Sequence, residues 1–437
     1  MANWKHRRTA FAAALFAVAL VATACRGGGD TGGGGGDGEV ATGTGVTAEA
    51  CPDTPNQDNG CIYLGIISDL TSGPFAALAV PITDAQKAFW ERVNEQGGIQ
   101  AGDQAFDVDV TSYIKDNKYN PEVHRQVYQE IESEVLGLAQ TLGSPTTAAI
   151  INDLEANNVV SAPASWTSAW DFKDVILESG TNYCFESMNS VDYAVDEFGA
   201  ESVMAVHYAG DYGEDAAGGA EVAAEAQGLD FTAIETGQGP ENQAGAINAI
   251  TKQKPDLVIV TTGPTDAAAV VGQSAAKGFK GKFIGTSPTW NPALLESPAA
   301  DAFKALYLQS GPWAPFGADT PGHQAMRDAL GDVDPSDGYT AGWAWSYPMK
   351  AALETAAENG DLTREGLVEA VKSLTTVDYE GMLPEEAGNF ADEPNDAVFR
   401  QSVISEVDED APTGVSVTKD LYTGPSAEGY EFSEPCF

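Results

Sequence analysis

What most constrains this chain is an alternation. From Cys61 onward, short apolar runs of strand length take turns with amphipathic runs of helix length, and the alternation is completed twice in succession. Strands that alternate with helices build mostly parallel sheets covered on both faces. In the first block, residues 62–68, 107–113, 136–142 and 159–162 read as strands, separated by helices over 82–96, 121–134 and 146–157. Pro121 suits a first helical turn, and Gly97-Gly98 ends the helix before it. The second block repeats the scheme with strands over 202–208, 231–236, 257–261, 283–285 and 305–309 and helices over 213–227, 242–252 and 265–277.

Beyond a Pro/Gly-rich crossing over 311–322 come helices over 338–358 and 363–373 and a strand near 399–407. They form no block of their own, so they are expected to rejoin the two already made. The reading is an α/β chain of two doubly wound, Rossmann-like lobes joined by a multi-crossover hinge. Lobe 1 is assigned to 51–181 and 311–396, lobe 2 to 182–310 and 397–437, and the ligand cleft to the hinge.

Ahead of the lobes, Lys5, Arg7 and Arg8 precede an apolar stretch over 11–21, shorter than the roughly 20 residues that span a bilayer. Residues 1–24 therefore read as an export signal. It ends Val21-Ala22-Thr23-Ala24-Cys25, small residues before a cysteine, as in a bacterial lipobox whose cysteine receives diacylglycerol; Ala22-Thr23-Ala24 equally meets the rule for plain secretion. Setting Cys25 aside leaves Cys51, Cys61, Cys184 and Cys436, an even set suited to two disulfides in an oxidising compartment. Three connectivities are open to them. Cys51–Cys61, which staples a short loop, and Cys184–Cys436, which ties the C-terminal tail to the start of the second lobe, are preferred. Residues 25–50 are glycine-rich and lack a hydrophobic period, so they read as a lipid-anchored tether, a coil reaching roughly 25–30 Å. The expected location is extracytoplasmic, with the membrane touched only through Cys25.

Lys and Arg number 22 against 65 Asp and Glu, a formal charge of −43, and losing Lys5, Arg7 and Arg8 with the signal leaves −46. Such a surface repels phosphate backbones, which excludes nucleic acid as a natural partner. His124, His207 and His323 lack zinc spacing, and Asp332, Asp334 and Asp337 lack the order of a calcium loop, so no metal is assigned. No nucleophile elbow, Walker loop or dinucleotide fingerprint is found, so neither a cofactor nor a catalytic residue is expected.

Candidate binding residues cluster where predicted strands end. Gly143-Ser144-Pro145-Thr146-Thr147 joins a buried strand to a helix and offers hydroxyls suited to a carboxylate, though Ser144 or Thr146 could equally serve as a simple helix cap. Ala164-Ser165-Trp166 follows the next strand. In the second block, Tyr212 in Asp211-Tyr212-Gly213, Asp266 after Gly263-Pro264-Thr265, and Ser287 before Pro288-Thr289-Trp290 supply the opposite wall. Trp166 and Trp290 also suit a core.

The segments Gly65 to Pro74 with Asp69 and Gly73, Val93 to Ile99, Gly143 to Thr147, Ala162 to Ser165 and Asp211 to Gly213 occur in order, followed by Pro255-Asp256, Gly278 and Asp378-Tyr379-Glu380-Gly381. Together they resemble the leucine/isoleucine/valine-binding protein family, substrate-binding proteins for branched-chain amino acids and amides that serve ABC importers. The resemblance spans nearly all of residues 61–410 and implies the type I periplasmic-binding fold, a small-molecule ligand and an ABC-importer permease as partner. It further implies that Ser144 holds a ligand carboxylate with help from Ala164 to Trp166, and that Tyr212 closes from the second lobe. Ser287 stands where the family places the acid that receives an α-ammonium, Gly263-Pro264 displaces an aromatic, and a hydroxyl near Trp166 is replaced. These departures point away from branched-chain amino acids, toward amides, modified amino acids or aromatic acids, with Asp266 as a substitute acid. The expected function is solute capture for an importer, without bond chemistry; a receptor-docked sensing module and a hydrolase on the same fold are the alternatives.

Mass spectrometry of the membrane fraction is expected to find the mature chain starting at Cys25 with a diacylglyceryl addition. A soluble product starting at Cys25 without lipid is the contrary result.

Overall fold

The computed structural model describes residues 40–437; the signal segment, Cys25 and most of the tether lie outside the described residues. The run Gly60–Ser68 buries Cys61, Ile62, Leu64, Ile66 and Ile67, side chains on both of its faces, so it takes the middle of a covered sheet. It is β3, preceded by β1 (Ala41–Thr42) and β2 (Val46–Thr47) and followed by β4 (Ile99–Ala101), β5 (Gln104–Asp109), β6 (Ile114–Asp116), β7 (Gly137–Leu142) and β8 (Ser161–Ala164). The sheet runs β4-β5-β3-β7-β8, with β2 and β6 also on β3. β5, β6 and β7 are parallel to β3, whereas β2 is antiparallel to it and β4 antiparallel to β5. The chain leaves β3 for β5 on one side and then reaches β7 on the other. That reversal opens a crevice beyond the C-terminal end of β3, where sheets of this kind take ligands.

The second sheet is built by the same rule from β9 (Ser202–Tyr208), β10 (Asp230–Thr236), β11 (Leu257–Thr261), β12 (Lys282–Gly285) and β13 (Tyr307–Gly311). Its reversal lies at β9, which pairs with β10 and β11 in register, Val203 standing between Phe231 and Leu257. After β14 (Asp361–Leu362), the chain returns to add β15 (Ser402–Val407) and β16 (Val415–Tyr422) as an antiparallel edge.

One apolar cluster fills the first lobe and includes Trp343, Leu353 and Leu367, so the late helices Asp337–Ala344, Ser346–Glu358 and Arg364–Val371 pack with the first sheet. The second sheet separates two clusters. Phe185, Met188 and Ala220 cover one face, and Val270, Phe279 and Phe303 the other. The element order thus carries the chain between the lobes three times. Both preferred disulfides are present: Cys51–Cys61 at the start of the first lobe, and Cys184–Cys436, which joins the helix Tyr183–Phe198 to the tail. Among the described residues no helix is long and apolar enough to cross a membrane.

Several expectations are corrected. The loose tether does not run to residue 50, because β1 pairs with β14 and β2 with β3, which fastens the chain to the first lobe from Ala41. The strand expected over 107–113 ends at Asp109, whose carboxylate accepts N–H bonds from Thr111 at 2.6 Å and Ser112 at 3.0 Å and so turns the chain. The first helix starts at Ala76 rather than 82 and carries Pro81 inside its second turn. Residues 300–306 are helical, which shortens the strand expected from 305. The helices Tyr183–Phe198 and Pro321–Leu330 and the strand β16 were not anticipated.

Cys184 and Cys436 are 252 residues apart and Cys51 and Cys61 only 10. Loop-closure entropy then predicts that replacing the first pair by serine lowers stability by about 5 kcal/mol and the second by about 3 kcal/mol. Urea denaturation of the two double variants measures the difference.

Candidate ligand cleft

The loops that leave the two reversal points face each other. In the first lobe, Asp69 ends the run after β3 and its carboxylate accepts N–H bonds from Gly73 at 2.8 Å and Phe75 at 3.1 Å, curling the loop so that Phe75 lines the cleft. Gly143 follows β7 with φ +98°, and a Cβ there would stand 2.6 Å from the Thr146 hydroxyl. This turn presents Ser144 to the cleft. Ser144 is 1 % exposed, and its hydroxyl is buried with no hydrogen-bond partner. A buried hydroxyl left unpaired costs about 1–3 kcal/mol. With no base in hydrogen-bond contact, that hydroxyl also lacks what would activate it as a nucleophile.

The Thr146 and Thr147 hydroxyls, expected to serve the same site, are turned into their own lobe. Thr146 donates to the carbonyls of Leu142 and Gly143, and Thr147 donates to the Thr141 carbonyl at 3.1 Å. Neither lines the cavity, because each satisfies the backbone of the turn instead.

Ala164, Ser165 and Trp166, after β8, do form the wall. The Ser165 hydroxyl accepts the Trp170 indole N–H at 3.1 Å, and the Trp166 indole donates to the Ser179 carbonyl at 2.8 Å. With its only polar group engaged, Trp166 offers the cavity its ring, packed 4.6 Å from Trp345 and 5.4 Å from Trp313 between centroids.

From the second lobe, Tyr212 at the start of the helix Asp211–Gln227 reaches across to Phe75, with ring centroids 5.9 Å apart. Its hydroxyl lies 3.0 Å from that of Thr286 and donates at 3.3 Å to the Thr262 carbonyl, so it points into its own lobe and the ring faces the cleft. Asp266 is not brought to the cavity. It accepts the Tyr208 hydroxyl at 2.6 Å and the Gly239 N–H at 2.8 Å, bracing loops within the second lobe. Ser287 does line the cavity, and its backbone N–H donates at 2.9 Å to Glu186.

Glu186 is a residue that the sequence did not single out. It is fully buried behind Ser287 and Ser310; one carboxyl oxygen also accepts the Ser310 hydroxyl at 2.6 Å, and the other has no partner. Burial pushes its pKa up to about 7. Asp337 was likewise missed as a wall residue. It accepts the Phe316 N–H at 2.8 Å and the Thr413 hydroxyl at 3.0 Å, linking a first-lobe helix to the β15–β16 turn. Burial moves its pKa up to about 6. The rest of the lining is mainly apolar and aromatic, including Leu78, Ile82, Tyr183, Trp290, Trp313 and Trp345. A polar point in a sleeve of rings suits a molecule with one charged end and an apolar body.

Residues 62–411 match the family model described as periplasmic binding protein. The chain belongs to this family. Its solved relatives include a fatty acid ABC transporter substrate-binding protein from Thermomonospora curvata, 28% identical, with a TM-score of 0.81, covering 90% of this chain and 97% of that one. A branched chain amino acid ABC transporter structure from Thermus thermophilus with bound valine is 16% identical, with a TM-score of 0.70, covering 85% and 98%. A possible leucine/isoleucine/valine-binding protein from Rhodopirellula baltica is 17% identical, with a TM-score of 0.69, covering 84% and 98%. No curated protein sequence matches the chain.

Glu186 gives a prediction in pH. Its folded pKa is raised above the ordinary 4.5, so its contribution to stability is full below pH 4.5 and is lost as pH rises through about 7. Glu186→Gln keeps the acceptor oxygen and removes the titration. Relative to the parent, the variant is expected to gain on the order of 2–3 kcal/mol between pH 5 and pH 8. Thermal denaturation across that range checks it; parallel curves for the two proteins are the contrary result.

Proposed function

We propose that this protein is an extracytoplasmic carrier, held to the membrane through lipidated Cys25, which closes its lobes on a carboxylic acid with an apolar chain and delivers it to an ABC importer. The observation that carries the reading is the Ser144 hydroxyl, buried and unpartnered at the edge of a cavity walled by Trp166, Trp313 and Trp345. A carboxylate oxygen satisfies that donor, and the rings take the chain. The printed description of the Thermomonospora curvata relative as a fatty acid binder supports this choice over amino acids. So does the second-lobe wall, where Ser287 stands in place of an acid and Asp266 is already engaged. The two carboxyls near that wall, Glu186 and Asp337, are drawn toward their neutral forms by burial, which weakens them as countercharges for an amino acid's ammonium. Closure follows from differential affinity, because only the closed form touches the ligand from both lobes.

A thermal-shift series with octanoate, decanoate, dodecanoate, leucine and urea tests the proposal. An acid present at 100 times its dissociation constant is expected to stabilise the fold by about 2.7 kcal/mol. Affinity is expected to rise about fourfold with each methylene while the chain still finds apolar wall. Ser144→Ala is expected to weaken the best acid at least tenfold, as loss of a hydrogen bond to a charged group should. Tight leucine binding, or an affinity indifferent to chain length, would sink the proposal.

A further inference from the structure

A second cavity, of about 430 Å³, lies at the hinge and shares no wall residue with the cleft. Its walls come from two of the three crossings, around residues 170–180 and 389–399, with Val371 and Lys372 beside them. Glu178, on this wall, is 8 % exposed, and neither of its carboxyl oxygens has a hydrogen-bond partner. Asp171, also on the wall, accepts the Asn182 amide at 2.9 Å, and Asp215 acts electrostatically on both acids.

Among the three acids, Asp171 alone is acted on by a positive charge, that of Arg400. None of the ion pairs among the described residues includes Asp171, Glu178 or Asp215. The wall lysines are committed elsewhere, Lys173 to Glu155 at 3.0 Å and Lys372 to Asp174 at 2.9 Å. Arg400 spends its N–H groups on the carbonyls of Ala427, Tyr430 and Asn395 and lies over the Phe185 ring at 4.5 Å. Burial accordingly pushes Asp171 and Asp215 up to about 7, and Glu178 well above its ordinary value.

Among the described residues no group of three His, Cys, Asp or Glu side chains is placed to hold a metal ion. Trp170, Phe172, Phe390 and Phe399 are also among the wall residues, and aromatic faces attract organic cations. Two unpaired oxygens on one carboxylate match two parallel N–H groups of a guanidinium, whose plane stacks on rings. We propose that the hinge cavity binds a small guanidinium compound, with its fork on Glu178, its outer N–H groups toward Asp171, and its plane against the aromatic wall. Because that wall belongs to two crossings, an occupant touches the segments that bend when the lobes move.

Isothermal titration of the full chain with agmatine, butylamine and tetramethylammonium tests this. Agmatine is expected to bind one to one, butylamine at least tenfold more weakly, and tetramethylammonium, which has no N–H, not measurably. Glu178→Gln preserves shape, and it and Asp171→Asn are each expected to weaken agmatine at least tenfold, with circular dichroism unchanged. No agmatine heat at millimolar concentration, equal binding of tetramethylammonium, or unchanged agmatine affinity in both variants would overturn the proposal. Displacement of agmatine by dodecanoate would overturn it too, by assigning the amine to the cleft; failure of dodecanoate to bind at all leaves the agmatine result to be read alone.

Discussion

A parallel sheet buried on both faces can show polar groups only at the ends of its strands, and this constraint decides where the protein can act. β3 and β9 are each flanked by strands reached from opposite directions, so in each sheet the loops diverge at one point and leave an opening. Ser144 after β7, Trp166 after β8, Ser287 after β12 and Ser310 near the end of β13 lie at such ends, and Val403 and Ser405 of the antiparallel β15 complete the wall. The three crossings then bring the two openings face to face. Phe75 meets Tyr212, and Asp337 meets Thr413, across the gap between the lobes.

Within that gap the balance is set by what the polar groups already do. Hydroxyls and carboxyls that look available in sequence are mostly engaged: Thr146 and Thr147 with their own turn, Asp266 with Tyr208 and Gly239, Tyr212 with Thr286. What the cavity wall still offers is Ser144, Ser287, Asp337 and a large aromatic area. One hydrogen bond to a charged group contributes about 1.5–3 kcal/mol, whereas each buried methylene contributes about 0.8 kcal/mol. For the acid proposed above, a chain of more than four methylenes would outweigh one such hydrogen bond.

The parts of this arrangement legible in sequence are those governed by local pattern. β9 and β11 fall on the residues expected, because unbroken apolar runs between turn residues admit little else. The helix Tyr183–Phe198 was hidden because polar residues sit on its packed side: Glu186, Asn189 and Asp192 are all buried and hydrogen-bonded to distant segments, Asn189 to Ser402 and Asp192 to Ser426, so residue type does not separate inside from outside. The site was legible to the level of loops but not of side-chain direction. Ser144 and Thr146 stand two residues apart on one turn, and only packing against Leu142 and Gly143 decides that one faces the cleft and the other the backbone.

The charge of the chain bears on how the proposed anionic ligand would reach such a site. A formal charge of −43 repels a carboxylate at long range, yet at physiological ionic strength that field decays over about 8 Å. Beyond that distance the approach is nearly free. Inside it, the few polar points in the cleft matter more than the surface acids, because screening is weakest where solvent is excluded. Asp337, on the cleft wall, and Glu186, behind it, are both pushed toward their neutral forms by burial. Burial thus weakens, without removing, the negative charge that these two carboxyls bring to the cleft, where the surface acids keep theirs in full.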